Sequence, residues 1–118
     1  MALVVPSECY ETFGIVLIEA FRQGTPVIAR RLGPFPEIVE ASGGGELFSS
    51  RDELRAAMAR LSGDGEHRAR LSRNGYRAYA DRWSERVVVP QYLELLRQAA
   101  ARKGDARRTE LLTLQEVA

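Results

Sequence analysis

The sequence predicts an α/β fold with a short parallel sheet, on three observations. Ala2 to Pro6 is a short run rich in β-branched residues, Val27 to Ala29 is a second, and Ile15 to Gln23 between them is long enough for a helix. The order is therefore strand, loop, helix, strand. In such a unit ligands sit outside the carboxyl ends of the strands, where the loop Ser7 to Phe13 falls, and the N-terminus of the following helix faces them. Gly14 at that junction lets the backbone come close. The unpaired N–H groups of the first helical turn offer donors and partial positive charge to a phosphate.

The remaining elements follow from turn and cap chemistry. Gly33-Pro34-Phe35-Pro36-Glu37-Ile38-Val39-Glu40 reads as a turn and a short helix with proline near its start, ended by Ser42-Gly43-Gly44-Gly45. The glycine run is a turn and not a phosphate cradle, since no Lys-Ser or Lys-Thr follows it and Glu46 would repel an anion. Glu46 to Phe48 is a third short strand. Ser50 and Glu53 have the spacing of a capping box and open a helix over Arg51 to Leu61. Gly63-Asp64-Gly65 separates this from a helix of about Glu66 to Arg82, with Leu71, Ala78 and Tyr79 as buried positions. A final helix follows Trp83, with Ser84 as N-cap and Tyr92, Leu93 and Leu96 toward the core. Pro90, preceded by Val89, predicts a kink or a late start near Val88 to Gln91 and not an unbroken helix.

Residues 1–103 are thus expected to form one unit, and Gly104 to Ala118 a flexible or partner-bound tail. The basic residues Arg102, Lys103, Arg107 and Arg108 read as a solvated tail more readily than as a contact for acidic lipid. Three strands are few for a stable sheet. The first would leave backbone groups and apolar Leu3 and Val5 exposed at an edge, to be covered by a second copy or a separate N-terminal polypeptide.

Composition fits a soluble chain: 118 residues, 45% hydrophobic, 28% charged and a net charge of +1 exclude a disordered tail or a strongly basic nucleic-acid binder. The single cysteine, Cys9, cannot form an internal disulfide, and neither CxxC nor a histidine cluster is present. A reducing compartment fits and a metal site does not. Cys9 is read as a small loop residue and not a nucleophile, because no general base accompanies it. His67 has no partner at a telling spacing and is read as a helix-surface residue. No segment approaches the roughly 18 apolar residues needed to span a bilayer, and no signal peptide is recognisable, so a cytoplasmic product is expected.

Two glutamates stand out, Glu11 and Glu19, eight positions apart across the loop and the helix start. They would lie about 12 Å apart along the axis if both were helical, a span suited to a nucleotide sugar. Each carboxylate can accept from two neighbouring hydroxyls, so one can hold sugar hydroxyls and the other a ribose diol. The spacing by itself reads more readily as a solvated Glu19 paired with Arg22 on the same helical face.

The full string resembles the C-terminal half of the GT-B retaining glycosyltransferases, the large family that uses UDP-glucose, GDP-mannose and similar donors. That pattern is a strand ending Pro-Ser, then Glu-x-Phe-Gly, four apolar residues, Glu-Ala, and a Gly-x-Pro-Val turn into a strand. Glu11-Thr12-Phe13-Gly14, Ile15 to Ile18, Glu19-Ala20 and Gly24-Thr25-Pro26-Val27-Ile28-Ala29 match it position by position, and the likeness runs from about Ala2 to about Arg97. The family also has a glycine and a Glu-Ile-Val like Gly33 and Glu37 to Val39; whether Gly33 or Glu37 touches ligand stays open. Pro90 departs from the family's helix-favouring residue.

The resemblance implies a partial Rossmann-like, three-layer α/β/α arrangement with extra C-terminal helices. It implies that Glu11, at the catalytic position, contacts hydroxyls of the transferred sugar. Thr12 lies in the same segment, the backbone of Phe13, Gly14 and Ile15 lies against sugar and diphosphate, and Glu19 holds the ribose. The donor would be a UDP- or GDP-sugar, with no cofactor and no metal. Such enzymes work by positioning and by electrostatic stabilisation of a departing diphosphate and an oxocarbenium-like sugar. A complete enzyme of this kind has two Rossmann-like domains, and the Arg and Lys that neutralise the diphosphate precede the first strand seen here. The chain thus looks like a truncated product, an excised fragment or one piece of a split enzyme, inactive alone. Two other readings are a non-catalytic assembly module and, less well matched in the glutamate flanks, a nucleotide-sugar epimerase.

Overall fold

Strands β1 (Leu3–Val5), β2 (Val27–Arg30) and β3 (Gly45–Phe48) pair in that order, all parallel. The register sets Leu3, Val27 and Gly45 level and likewise Val5, Ala29 and Leu47, so all three strands end at one edge. Helices α1 (Ile15–Arg22) and α2 (Phe35–Ser42) are the crossovers, and α3 (Arg51–Gly63) and α4 (Gly65–Ala78) follow β3. A π-helical turn, Tyr79–Trp83, precedes α5 (Glu85–Arg102). This computed structural model describes residues 1–104 together with Arg107, Glu110, Leu111 and Thr113, so most of the expected tail, Arg108 included, lies outside the described residues. The chain divides into two units, Met1–Asp81 and the part from Arg82 onward.

The first unit is the predicted three-layer α/β/α arrangement. Successive strand residues point to opposite faces. Ile28 and Phe48 meet Ala57 and Leu61 of α3 and Leu71 of α4 in one cluster, with Ala2, Val4 and Leu54 at its margin. Val27 and Ala29 point the other way, toward α1 and α2, which bury Leu17, Ile18, Phe21, Phe35, Ile38 and Val39.

The tightest packing surrounds Phe21, whose ring is fully buried. A Cβ at Gly75 would stand 2.6 Å from Phe21 Cδ1, and one at Gly44 would stand 2.6 Å from Phe21 Cε1 and 2.7 Å from Gly75 Cα. Glycine is thus required where α4 and the start of β3 close on the ring. The run that reads as a turn is also a packing surface, and Gly43 before it ends α2.

Capping follows the sequence with three differences, the first being that Ser84 stands at the N-cap of α5 with no side-chain cap hydrogen bond. Ser50 accepts from the Glu53 N–H at 3.1 Å, while the Glu53 carboxylate accepts from Ser49, one residue before the expected donor, at 2.8 Å. Asp64, which reads only as part of a separator, caps α4 by accepting from the His67 N–H at 3.0 Å.

Several expectations are corrected. Val5 is buried and Leu3 half-buried, since an open edge exposes backbone groups whereas side chains leave at right angles into the covered faces. The helix expected to reach Arg82 ends at Ala78, and the π-turn rotates the chain so that Tyr79 is half-buried, not buried. Helix α5 starts at Glu85, where Val87 and Val88 donate to the Ser84 carbonyl at 2.9 Å, and runs unbroken through Pro90. Pro90 removes the bond to the Arg86 carbonyl, but Arg86 is exposed and water can serve it. Tyr92 and Leu96 are exposed and Leu93 half-buried, because periodicity marks the apolar face of a helix and not what covers it. His67 is half-buried with partners: Nε2 is 3.7 Å from Glu46 Oε2 and Nδ1 is 2.7 Å from Arg70.

Gly75→Ala is expected to destabilise the fold by about 1–3 kcal/mol through overpacking. Adding Phe21→Leu should cost clearly less in that background than in the wild type. Additive losses in a double-mutant cycle by urea denaturation would show that the Phe21 seat is not what makes Gly75 necessary.

Candidate functional site

The common edge where the strands end is also where the chain turns outward. From β1 it runs through Pro6 into an exposed stretch, Glu8 to Phe13, and enters α1 at Gly14. Gly14 is the N-cap of α1 with φ 82°, in the left-handed region that glycine alone adopts without strain. It is buried, and a Cβ there would meet Phe35 Cε1 at 3.0 Å and Ile38 Cδ1 at 3.3 Å. The mouth of α1 is thereby pressed against α2.

That mouth is electrically open. No side chain caps α1 and its first turn holds no acidic residue. Leu17 N–H is taken by the Gly14 carbonyl at 3.1 Å, whereas no backbone acceptor is found for the amides of Ile15 and Val16. Two aligned donors at the positive end of a helix dipole form a natural seat for an anion.

The predicted residues lie around this mouth. Glu11, Thr12 and Phe13 are exposed immediately before it, Ile15 is exposed at its first position, and Glu19 is exposed one turn further on the face it shares with Ile15. Glu19 is solvated, as the alternative reading has it, but no ion pair joins it to Arg22. Glu11 lies in irregular chain, so the separation calculated for two helical residues does not apply. Cys9 is an exposed free thiol in the same loop.

Two supports were missed in the sequence. Gly33, before α2, lies against the loop: a Cβ there would be 3.6 Å from the Glu11 carbonyl oxygen and 3.6 Å from Tyr10 Cδ1. Arg30 sits at the same edge, its Nε donating to the Pro6 carbonyl at 3.3 Å and its guanidinium 5.0 Å from the centroid of the Phe48 ring. An arginine directly at the carboxyl end of a predicted parallel strand was the available signal. Its neighbour Arg31 pairs instead with Glu40 at 3.8 Å.

Glu11, Thr12, Phe13, Ile15 and Glu19 are all exposed. A hollow of about 290 Å³ lies elsewhere, beside Met1, Ala2, Val4, Ile28 and Met58. Among the described residues no three His, Cys, Asp or Glu side chains are grouped to hold a metal, and no helix is long and apolar enough to cross a membrane.

The chain is 40% identical over 107 residues to a D-inositol 3-phosphate glycosyltransferase of Saccharomonospora viridis, covering 88% of this chain and 24% of that protein. It is 34% identical over 101 residues to an MMP alpha-(1->4)-mannosyltransferase of Mycolicibacterium hassiacum, covering 83% and 24%. The structure superposes on a sucrose-phosphate synthase from Thermosynechococcus elongatus with a TM-score of 0.75 and 34% identity, over 83% of this chain and 25% of that one. The chain spans about a quarter of the length of these relatives. Residues 1–78 match the family described as glycosyl transferases group 1, and the chain belongs to that family.

Proposed function

We propose that the chain carries half of the donor site of a retaining glycosyltransferase and binds the nucleotide sugar without turning it over alone. The observation that carries this reading is the grouping, on one exposed surface, of Glu11, the uncapped mouth of α1 and Glu19. The amides of Ile15 and Val16 receive a diphosphate oxygen, Glu11 accepts from hydroxyls of the transferred sugar, and Glu19 accepts from the ribose diol. As the sugar departs, negative charge grows on the diphosphate and positive charge on the sugar ring. The helix mouth faces the first and the Glu11 carboxylate the second, so both changes are stabilised by groups already in place. A UDP- or GDP-linked sugar fits, and the cations that neutralise the diphosphate come from chain outside these residues. A cytoplasmic location goes with this reading, since the free exposed Cys9 suits a reducing compartment.

The second reading, an assembly module, is supported by the edge of β1, which among the described residues pairs only with β2, and by the apolar hollow beside Ala2, Val4 and Met58. The two readings are compatible, because a chain can hold half a site and still need a partner along that edge.

Titration with UDP, GDP, ADP and their sugar conjugates, followed by amide shifts, is expected to move the Glu11 to Glu19 region. Glu19→Ala should weaken binding about tenfold, the worth of a hydrogen bond to a charged group, while changing stability by less than about 0.5 kcal/mol. Gly14→Ala should lose binding and also about 1–3 kcal/mol of stability, through backbone strain. A folded wild-type chain that shows no shift with any nucleotide would overturn the donor-site reading. For the second reading, sedimentation velocity should show concentration-dependent self-association, and a monodisperse monomer that binds no apolar dye would remove it.

A further inference from the structure

Arg30 ends β2, one position beyond the last β1–β2 pair, Val5 with Ala29, and so lies beside Pro6, where the chain leaves the sheet. Three contacts converge on its side chain. Nε donates to the Pro6 carbonyl at 3.3 Å, a terminal nitrogen is 3.8 Å from Glu8 Oε1, and the guanidinium carbon is 5.0 Å from the centroid of the Phe48 ring. Phe48 is fixed in the core with 1% of its surface exposed, so the guanidinium rests on an immobile base. A planar cation suits this position, because it can stack on a ring and donate in its own plane at the same time.

Pro6 has no N–H, and its carbonyl lies past the end of the β-ladder. That carbonyl is the one backbone hydrogen-bonding group Pro6 has, and Arg30 donates to it. Beyond it, Glu8, Cys9, Tyr10, Glu11, Thr12 and Phe13 are all exposed until Gly14 is buried again. The loop is therefore held at its far end by Gly14 against α2, near Glu11 by the approach of Gly33, and at its root by Arg30.

We infer that Arg30 is a positioning residue, fixing the root of the Pro6 to Phe13 loop and thereby the place of Glu11 without touching substrate itself. The consequence for donor binding rests on the reading given above, whereas the brace is a property of the loop alone.

Cys9 is the single cysteine of the chain and is exposed within this loop, so a nitroxide attached to it reports loop order with no ligand present. In the full chain, Arg30→Met keeps an apolar stem over Phe48 and removes both donors and charge. It is expected to raise the mobile component of the nitroxide spectrum about threefold or more, as for the loss of one hydrogen bond, while amide shifts of the Ile28 and Phe48 core stay in place. Arg30→Lys, which can still donate to Pro6, should restore part of that order. Where the wild type binds nucleotide, Arg30→Met should weaken binding severalfold. Unchanged label mobility in Arg30→Met overturns the proposal, and so does loosening that comes with loss of the core amide pattern. A wild-type chain that binds no nucleotide while the label still loosens in Arg30→Met would sink the donor-site reading and leave the brace standing.

Discussion

The seat of Phe21 is the constraint on which the rest of the fold depends. Helix α1 has eight residues, too few to persist alone in water, so tertiary contacts must hold it. At one end its Phe21 ring fills a space that Gly44 and Gly75 leave only because neither has a Cβ; at the other, Gly14 lies where a Cβ would strike Phe35 and Ile38. Burying a phenylalanine contributes about 1.5–3 kcal/mol, and forcing an extra methyl into such a contact costs about as much. The helix is therefore fixed in depth by glycine at both ends, and its mouth cannot slide along the sheet.

This separates the parts that fold the chain from the parts that would bind. Leu17, Ile18, Ala20 and Phe21 face the core, whereas Ile15 and Glu19 face solvent on the same short helix. Glu11 and Thr12 are exposed on a loop whose ends are tied at Pro6 and Gly14. Binding groups of this kind contribute little to stability and can be changed without disturbing the fold. Their backbone, however, is set in advance, which is what a site that works by positioning requires.

Much of this was legible in the sequence because the local signals agree with one another. The β-branched runs at Ala2 to Pro6 and Val27 to Ala29, the helix between them, and the Ser50 cap each specify their own element. The order of the elements then puts the strand ends at one edge, with the loop that carries Glu11 and the start of α1 beside it. What could not be read is of another kind. A π-turn at Tyr79 to Trp83 adds no compositional mark to a helical pattern, and Tyr92 and Leu96 are apolar whether or not anything covers them. Gly44 reads as part of a turn and Gly75 carries no signal of its own within its helix, because the ring that excludes their Cβ atoms is 23 and 54 positions away along the chain. Arg30 does not stand where the resemblance puts the phosphate-binding cations, which precede the first strand. Its contacts with Pro6 and Phe48 depend on register, which single-residue patterns do not carry.

On the proposed reading, electrostatics explains why such a surface would be only half a donor site. A nucleoside diphosphate brings negative charge to a place already flanked by Glu8, Glu11 and Glu19, all exposed. The mouth of α1 offers the equivalent of about half a positive charge, which falls off within a turn and is screened by salt at an open surface. The nearby cation, Arg30, is directed at Pro6 and Glu8. The carboxylates are suited to neutral hydroxyls and to a sugar that becomes positive, and their charge works against the phosphates. Attraction for the diphosphate must then come largely from cations on an opposing surface. Bringing that surface in would also exclude water, so the same closure that supplies the missing charge would strengthen the contacts proposed for Glu11 and Glu19.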